Sequence, residues 1–192
     1  MKLMNNFDTL FPTIVYKKDN PKLISEGLKI ISKSICFEQG DYAFQSKCIS
    51  TVKTNSKILN LPDFYRIKKA VEESVQEYCK YMKFDMSKSY QIRDSWLNYY
   101  QPGMYQETHI HHNSLISGVV YIVGSGLADF YVTNPFYNQQ SILPCFDHNN
   151  DCFANYNYET LDGRILLFMS STLHATRPTD KEKISLSFNI VN

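Results

Sequence analysis

The 192-residue sequence contains no uninterrupted apolar segment of the roughly 18 to 20 residues that a membrane helix requires. Its first residues also lack the apolar core of a secretory signal peptide. The five cysteines are odd in number and follow no paired spacing, which argues against the disulfide framework of a secreted protein. These absences predict a cytoplasmic protein with reduced thiols and no membrane partner.

Phosphate-binding motifs are absent as well. Neither GxGxxG nor GxxxxGK[ST] occurs, so a nucleotide-binding fold has no local support. The net charge is only +1, and no cluster of lysines and arginines is interleaved with aromatic residues, so nucleic acid is not indicated as a partner. With 43% hydrophobic and 20% charged residues, the composition is that of a globular protein.

The N-terminal half predicts two amphipathic helices. Asn20-Pro21 has the form of an N-cap followed by a first-turn proline, and apolar residues then recur at helical spacing up to Ile35. A second helix start at residues 60–63 leads into an apolar stripe that continues to Met82. Charged residues lie beside that stripe, which is typical of a helix with one buried face.

The C-terminal half predicts strands, because it consists of short aromatic and β-branched runs broken by Gly, Pro and Asn. The predicted strands are residues 95–101, 117–123, 127–133, 163–169 and 184–191. Helices followed by strands favour an α+β protein in which helices pack on an antiparallel sheet or barrel. We expect one domain over residues 1–192, in which residues 1–90 are mainly helical support and residues 91–192 form the β core that carries the site.

Four of the five histidines lie in two stretches of this β half. If residues 107–111 are extended, Glu107, His109 and His111 lie on one face of the strand. His174 follows a distant strand and is the natural third ligand for a metal that keeps open coordination positions. The sequence therefore predicts a catalytic metal site.

The last predicted strand adds a second feature, because its apolar residues alternate strictly with polar ones. Its polar face begins with Lys183 and Ser185, and Lys183 lies nine residues after His174. A cation with a hydroxyl two residues further on would bind a carboxylate of a molecule held on the metal. The alternative is a polar face that is simply solvated.

The chain resembles the 2OG-Fe(II) oxygenases that are common in phages and marine bacteria. Gly103 and Gly163 precede His109 and His174 as in the two half-motifs of a cupin-like double-stranded β-helix. The segments that carry the resemblance are residues 10–13, 95–98, 106–111, 117–121, 163–168, His174 and 184–189. The resemblance implies a jelly-roll barrel with N-terminal helices packed on it, iron(II) and 2-oxoglutarate as cofactors, and hydroxylation of a substrate by O2 with decarboxylation of 2-oxoglutarate to succinate.

Carried over by position, the resemblance makes His109 and His174 two of the iron ligands. The wider superfamily has an aspartate where this chain has His111, and His111 is the preferred third ligand. Glu107 on the same face, or Asp129 in a neighbouring strand, would be the alternative carboxylate ligand.

Further residues match the 2-oxoglutarate site of the superfamily. Lys183 and Ser185 stand where Arg-x-Ser holds the remote carboxylate of 2-oxoglutarate, Tyr100 resembles the tyrosine that assists, and Asn98 would point the same way. Arg177 is expected to line the pocket or to cap a surface turn.

Two other functions remain open. The three histidines would also suit a cupin-like dioxygenase that does not use 2-oxoglutarate, or a zinc-bound hydroxide. A catalytically silent β-helix module would instead use its basic helical half, with Lys17, Lys18, Lys68 and Lys69, to dock a partner. The substrate (peptide, nucleobase or small metabolite) and the oligomeric state are not predicted.

Three weaker signals are interpreted as structural. Cys145, His148 and Cys152 fit no standard zinc spacing and are expected to form a loop. Trp96 is expected to be a core aromatic rather than a base-stacking platform. The stretch from Phe130 to residue 136 would form a strand and turn or a substrate lip.

Overall fold

The computed structural model describes residues 12–135 and 154–192. The α-helices are α1 (Glu26–Gln39) and α2 (Tyr65–Tyr81). The strands are β1 (Val15–Asp19), β2 (Asp41–Ala43), β3 (Cys48–Ser50), β4 (Gln91–Tyr100), β5 (Gln106–His109), β6 (Ile116–Val123), β7 (Phe130–Thr133), β8 (Asn155–Tyr158), β9 (Arg164–Met169), β10 (His174–Thr176) and β11 (Lys183–Val191). Cys145, His148 and Cys152, and the end of the proposed substrate lip, lie outside the described residues.

The strands form two antiparallel sheets. The larger sheet has the order β1-β9-β6-β11-β4-β3-β2, and the smaller one has the order β5-β10-β7-β8. Both helices contact the larger sheet. The α+β arrangement predicted from the sequence is confirmed.

Strand β11 shows why the larger sheet has one apolar and one polar face. Its buried residues Ile184, Leu186, Phe188 and Ile190 belong to the core that the helices cover. Because side chains alternate along a strand, Lys183 and the three polar residues that follow at every second position face the smaller sheet. A second core cluster lies between the sheets and consists of Val119, Tyr121, Phe130, Val132, Leu166 and Phe168.

Helix α1 begins later than its sequence predicts. The hydroxyl of Ser25 accepts a hydrogen bond from the backbone N–H of Leu28 at 3.2 Å and caps the helix. Asn20 makes no such side-chain bond, and Pro21–Leu23 forms only a single 3-10 turn. The predicted N-cap at Asn20 is therefore wrong, because the Ser25 hydroxyl, and not the Asn20 side chain, accepts a free N–H of the first turn.

Helix α2 matches its prediction more closely. It follows a 3-10 turn at Pro62–Phe64 and buries a stripe that includes Ile67, Val71, Val75 and Tyr78. This spacing of three and four residues lays one helix face against the sheet. Within the described ranges, no helix is long and apolar enough to cross a membrane.

The first 90 residues are less helical than expected. They also contain β1, β2 and β3, which extend the larger sheet at its two edges. These strands are only three to five residues long, too short for a period-two pattern to distinguish them from loop.

Candidate metal centre

Strand pairing brings three histidines together. His109 and His174 are directly opposite each other in the β5–β10 ladder, and their ring centroids are 4.3 Å apart. The backbone N–H of His111 donates to the carbonyl of Ser170, which holds the segment after β5 beside the end of β9. The ring of His111 lies 5.1 Å from each of the other two rings, and one ligand atom from each histidine lies within 4.8 Å of the others.

Backbone carbonyls orient two of these rings. Nδ1 of His109 donates to the carbonyl of Glu107 at 2.7 Å, and Nδ1 of His174 donates to the carbonyl of Thr172 at 2.8 Å. Because a carbonyl only accepts, Nδ1 carries the proton and the lone pair is on Nε2. Two Nε2 atoms are thereby prepared as metal ligands.

Burial keeps the imidazoles neutral. Desolvation, with a smaller contribution from the neighbouring histidine, lowers the pKa of His111 to about 4 and that of His174 to about 3. Desolvation also lowers the pKa of His109. A neutral imidazole is the form that binds a metal, so three such groups around one point fit a divalent ion with positions left open for other ligands.

Aromatic side chains surround the histidines. The Trp96 ring stacks on His111 with centroids 5.6 Å apart, and the Phe168 ring lies 4.5 Å from that of His174. The Phe130 ring lies 5.8 Å from that of His174 and stacks on Phe168, and the Phe44 ring lies 6.2 Å from that of His109. These rings shield the site from water, and the sequence interpretation of Trp96 as a core residue missed its contact with His111.

A pocket next to the histidines is rich in hydroxyl groups. It is lined by Tyr100, Gln106, His109, His111, Gly118, Val119, Tyr121, Phe130, Phe168, His174, Thr176, Ser185 and Ser187. Tyr100 and Ser185, both expected at the cofactor site, are among them. Asn98 lies buried beside this pocket, where its side-chain amide donates to Ser187 and its side-chain carbonyl accepts from Ser50.

Gln106 and Tyr121 are among the pocket residues that were not identified as site residues from the sequence. The side chain of Gln106 contacts Nε2 of His109 at 3.2 Å and accepts a hydrogen bond from the Tyr100 hydroxyl. Tyr121 is 1% exposed, and its hydroxyl has no partner among the described residues. Tyr121 lies opposite Ser185 in the ladder between β6 and β11. The sequence alone does not reveal this pairing, because it does not give the order of the strands.

Lys183 is buried and already paired. Its Nζ donates to Oδ2 of Asp129 at 2.8 Å and lies 4.6 Å from the centre of the Tyr100 ring. Burial lowers the pKa of Lys183, while the nearby Asp129 carboxylate acts in the opposite direction. Asp129, which the sequence analysis considered as an alternative metal ligand, thus forms an ion pair with Lys183 in the structure.

Glu107 also has other partners. Its carboxylate accepts the backbone N–H groups of Gln45 and Ser46 in the turn between β2 and β3. The β5–β10 register shifts between His174 and Thr176, and this irregularity breaks the regular alternation assumed for residues 107–111. Instead of Glu107, Gln106 shares the pocket with His109.

Arg177 is not among the residues that line this pocket. Its guanidinium is 5.2 Å from the centre of the Tyr131 ring, and its backbone N–H donates to the carbonyl of Asp129. Its side chain is exposed, so it belongs to the surface beside the smaller sheet.

Comparison with known structures identifies the same fold in several oxygenases. A prolyl-4-hydroxylase from Pseudomonas putida is 12% identical, with a TM-score of 0.64 over 93% of this chain and 92% of that one. The 2-oxoglutarate complex of a viral collagen prolyl hydroxylase from Paramecium bursaria Chlorella virus-1 is 15% identical, with a TM-score of 0.55 over 92% and 94% of the two chains. HygX from Streptomyces hygroscopicus, with nickel and 2-oxoglutarate bound, is 10% identical, with a TM-score of 0.59 over 93% and 82%.

These likenesses establish the fold as the double-stranded β-helix of such oxygenases. Comparison with curated protein sequences gives no match. The family described as "Putative 2OG-Fe(II) oxygenase" matches residues 94–189, half of the chain, and this range includes all three clustered histidines. The protein therefore belongs to the 2OG-Fe(II) oxygenase family and is an oxygenase whose cofactors are iron(II) and 2-oxoglutarate.

Proposed function

We propose that the protein hydroxylates an organic substrate at a centre in which His109, His111 and His174 hold the iron. The observation that carries this proposal is the convergence of three neutral imidazoles on one point beside a hydroxyl-lined pocket. When bound, iron(II) would activate O2, the oxidant, with two electrons from 2-oxoglutarate, which would leave as succinate and carbon dioxide; one oxygen atom would enter succinate and the other the substrate C–H bond. The aromatic wall of Trp96 and Phe168 excludes water from the reacting groups.

The third ligand in this proposal is His111. Glu107 and Asp129 are engaged with the 45–46 turn and with Lys183, respectively. Among the described residues the His111 ring has aromatic contacts and a side-chain hydrogen bond with Asn189 but no carboxylate partner, and burial, which lowers its pKa to about 4, keeps it neutral. An all-histidine set leaves the metal more positive than a set with one carboxylate.

The pocket fits 2-oxoglutarate in one specific respect. The buried Tyr121 hydroxyl lacks an acceptor among the described residues, and a carboxylate oxygen would satisfy it. Ser185 and Tyr100 present further hydroxyl groups to the same space. In the proposal Lys183 lies at the far end of this site with its charge balanced by Asp129, and Asn98 positions Ser187.

The substrate would approach from the side of His109 and His111, which are less buried than His174. In the proposal Phe44, whose ring lies 6.2 Å from that of His109, would contact the substrate, as would Arg177 beside Tyr131 of the smaller sheet. A peptide, a nucleobase and a small metabolite all have suitable C–H bonds. We further propose that residues 1–192 act as one domain, with residues 1–90 supporting the β core.

The location is also part of the proposal. Cys36, Cys48 and Cys79 are buried free thiols, which supports a reducing compartment such as the cytoplasm. The resemblance to phage members of the family supports a phage origin, in which case the compartment is the host cytoplasm.

The test is an anaerobic titration of the apoprotein with iron(II) and then 2-oxoglutarate, followed by the visible charge-transfer band of a chelated 2-oxo acid. Trp96 is the single tryptophan and stacks on His111, so its fluorescence reports metal binding independently of turnover. We expect a band in the wild type, and none in His109→Ala or His174→Ala because these lose a ligand. His112→Ala removes a neighbouring imidazole outside the cluster and is the matched control.

His111→Ala separates the ligand assignments, since loss of the band assigns the third ligand to His111. Lys183→Ala should retain metal binding and weaken the binding of 2-oxoglutarate, because it leaves the buried Asp129 carboxylate without its cation. Tight iron binding with no band would favour the three-histidine dioxygenase or zinc alternative. Absence of metal binding would contradict the proposed centre.

A further inference from the structure

The Lys183–Asp129 ion pair is the only described salt bridge with both side chains almost fully buried, at 1% and 3% exposure. Oδ2 of Asp129 accepts from Lys183 at 2.8 Å and from the Ser125 hydroxyl at 3.1 Å. Among the described residues, Oδ1 of Asp129 has no hydrogen-bond partner. A buried cation that is already paired with one carboxylate attracts a second carboxylate less strongly.

The pocket itself is lined by neutral groups. Its polar side chains are the hydroxyls of Tyr100, Tyr121, Thr176, Ser185 and Ser187 and the amide of Gln106, next to three neutral histidines. Lys183 lies behind Tyr100, where its Nζ approaches the face of that ring. No charged side chain is among the described residues that line the pocket.

The charges of the buried groups explain what this arrangement favours. Lys183 and Asp129 cancel each other, so the protein contributes no net charge to the pocket. A 2-oxo acid gains its attraction to the metal from the oxo and carboxylate groups that chelate it, and a second carboxylate at the far end would meet Asp129 as well as Lys183. The gain from that second carboxylate is therefore small.

We propose that Asp129 is a specificity-determining residue that competes with the far carboxylate of the 2-oxo acid for Lys183, so that the protein also accepts monocarboxylic 2-oxo acids. This inference rests on the proposed function, because it places the 2-oxo acid in the hydroxyl-lined pocket. It extends the co-substrate class from 2-oxoglutarate to 2-oxo acids with an uncharged tail.

The experiment measures binding rather than turnover. The protein is loaded with redox-inert zinc(II), and calorimetry gives the affinities for 2-oxoglutarate and for 2-oxopentanoate, which has a methyl group in place of the far carboxylate. In the wild type we expect 2-oxoglutarate to bind no more than about tenfold more tightly. A larger preference would overturn the inference.

Asp129→Asn tests the competition directly. It frees the buried lysine for the ligand, so the affinity for 2-oxoglutarate should rise about tenfold or more, since a hydrogen bond to a charged group contributes about that factor. The affinity for 2-oxopentanoate should stay within about threefold. Asp180→Asn makes the same chemical change at an exposed site near Lys183 and should alter neither affinity.

A variant that removes both charges guards against misfolding of Asp129→Asn. The double variant Asp129→Asn/Lys183→Met leaves no unpaired buried charge, and we expect it to lose the gain in 2-oxoglutarate affinity that Asp129→Asn alone brings. A loss of more than about tenfold in 2-oxoglutarate affinity alone would show that Lys183 already binds the far carboxylate and would overturn the inference. If zinc binds but neither 2-oxo acid does, the proposed function fails instead.

Discussion

At the residue scale, the same local bond prepares two of the clustered histidines. In both His109 and His174, Nδ1 donates to the backbone carbonyl two residues earlier in the chain. This bond fixes the ring plane and leaves Nε2 directed at the centre. It depends on the backbone alone, so the side chain of Glu107 is free for another role even though its carbonyl orients His109.

Glu107→Gln tests that separation of roles. The carbonyl bond to His109 survives the substitution, whereas the carboxylate that anchors Gln45 and Ser46 becomes a weaker neutral acceptor. We expect the manganese(II) affinity to change by less than about threefold, measured from Trp96 fluorescence. A loss as large as that of His111→Ala would mean that Glu107 is a metal ligand.

At the element scale, β1 is attached to the sheet by more than its backbone ladder. Arg164 at the start of β9 forms two hydrogen bonds to the carboxylate of Asp19 at the end of β1, at 2.6 and 2.7 Å. The guanidinium is largely buried, and its Nη1 also donates to the carbonyl of Glu159. This bidentate pair fixes an edge strand that is only five residues long.

Asp19→Asn should destabilise the protein by about 1 to 2 kcal/mol at pH 7. The loss is modest because the Asp19 side chain is about half exposed to solvent and Arg164 keeps its hydrogen bond to the Glu159 carbonyl. The Arg164 hydrogen bonds lower the pKa of Asp19 in the folded state. The stabilisation is therefore present above the unfolded pKa of about 4 and is lost as the pH falls through the lower folded value. Urea unfolding of both forms should show a difference at pH 7 that shrinks towards pH 2. A difference that is constant with pH would contradict this assignment.

At the scale of the whole molecule, the centre exists only when the two sheets have assembled. His109 and His174 belong to the smaller sheet, whereas the Trp96 and Phe168 rings that contact the cluster come from the larger one. The ligands are distant in sequence, so the unfolded chain does not hold them together. Metal binding is therefore coupled to the global fold.

Metal should accordingly stabilise the whole protein. At a free manganese(II) concentration 100 times its dissociation constant, we expect the free energy of unfolding to rise by about 2.7 kcal/mol. Removing the metal with a chelator should reverse the change, and His174→Ala should show no increase. Equal stabilisation of the wild type and His174→Ala, measured by urea unfolding, would place the bound metal elsewhere.

Much of the fold follows from local sequence patterns. The strict alternation in residues 184–190 predicted both faces of β11, and the helical stripe from Ile67 to Tyr78 predicted the buried face of α2. The helix start at Ser25 and the short edge strands were missed. Several residues in the chain have the chemistry to cap a helix, and three-residue strands carry too little periodicity.

The sequence by itself determined which residues bring chemistry to the site: His109, His111 and His174, with Lys183 and Ser185 on a polar strand face. Only the tertiary structure decided how their charges are compensated. Asp129 lies 54 residues before Lys183 in the chain and reaches it because β7 and β11 belong to facing sheets. The register shift in β5–β10 likewise exchanged Glu107 for Gln106 in the pocket. Local periodicity decides which way a regular strand directs its side chains, but ion pairs between sheets and breaks in register depend on how the strands meet in the folded protein.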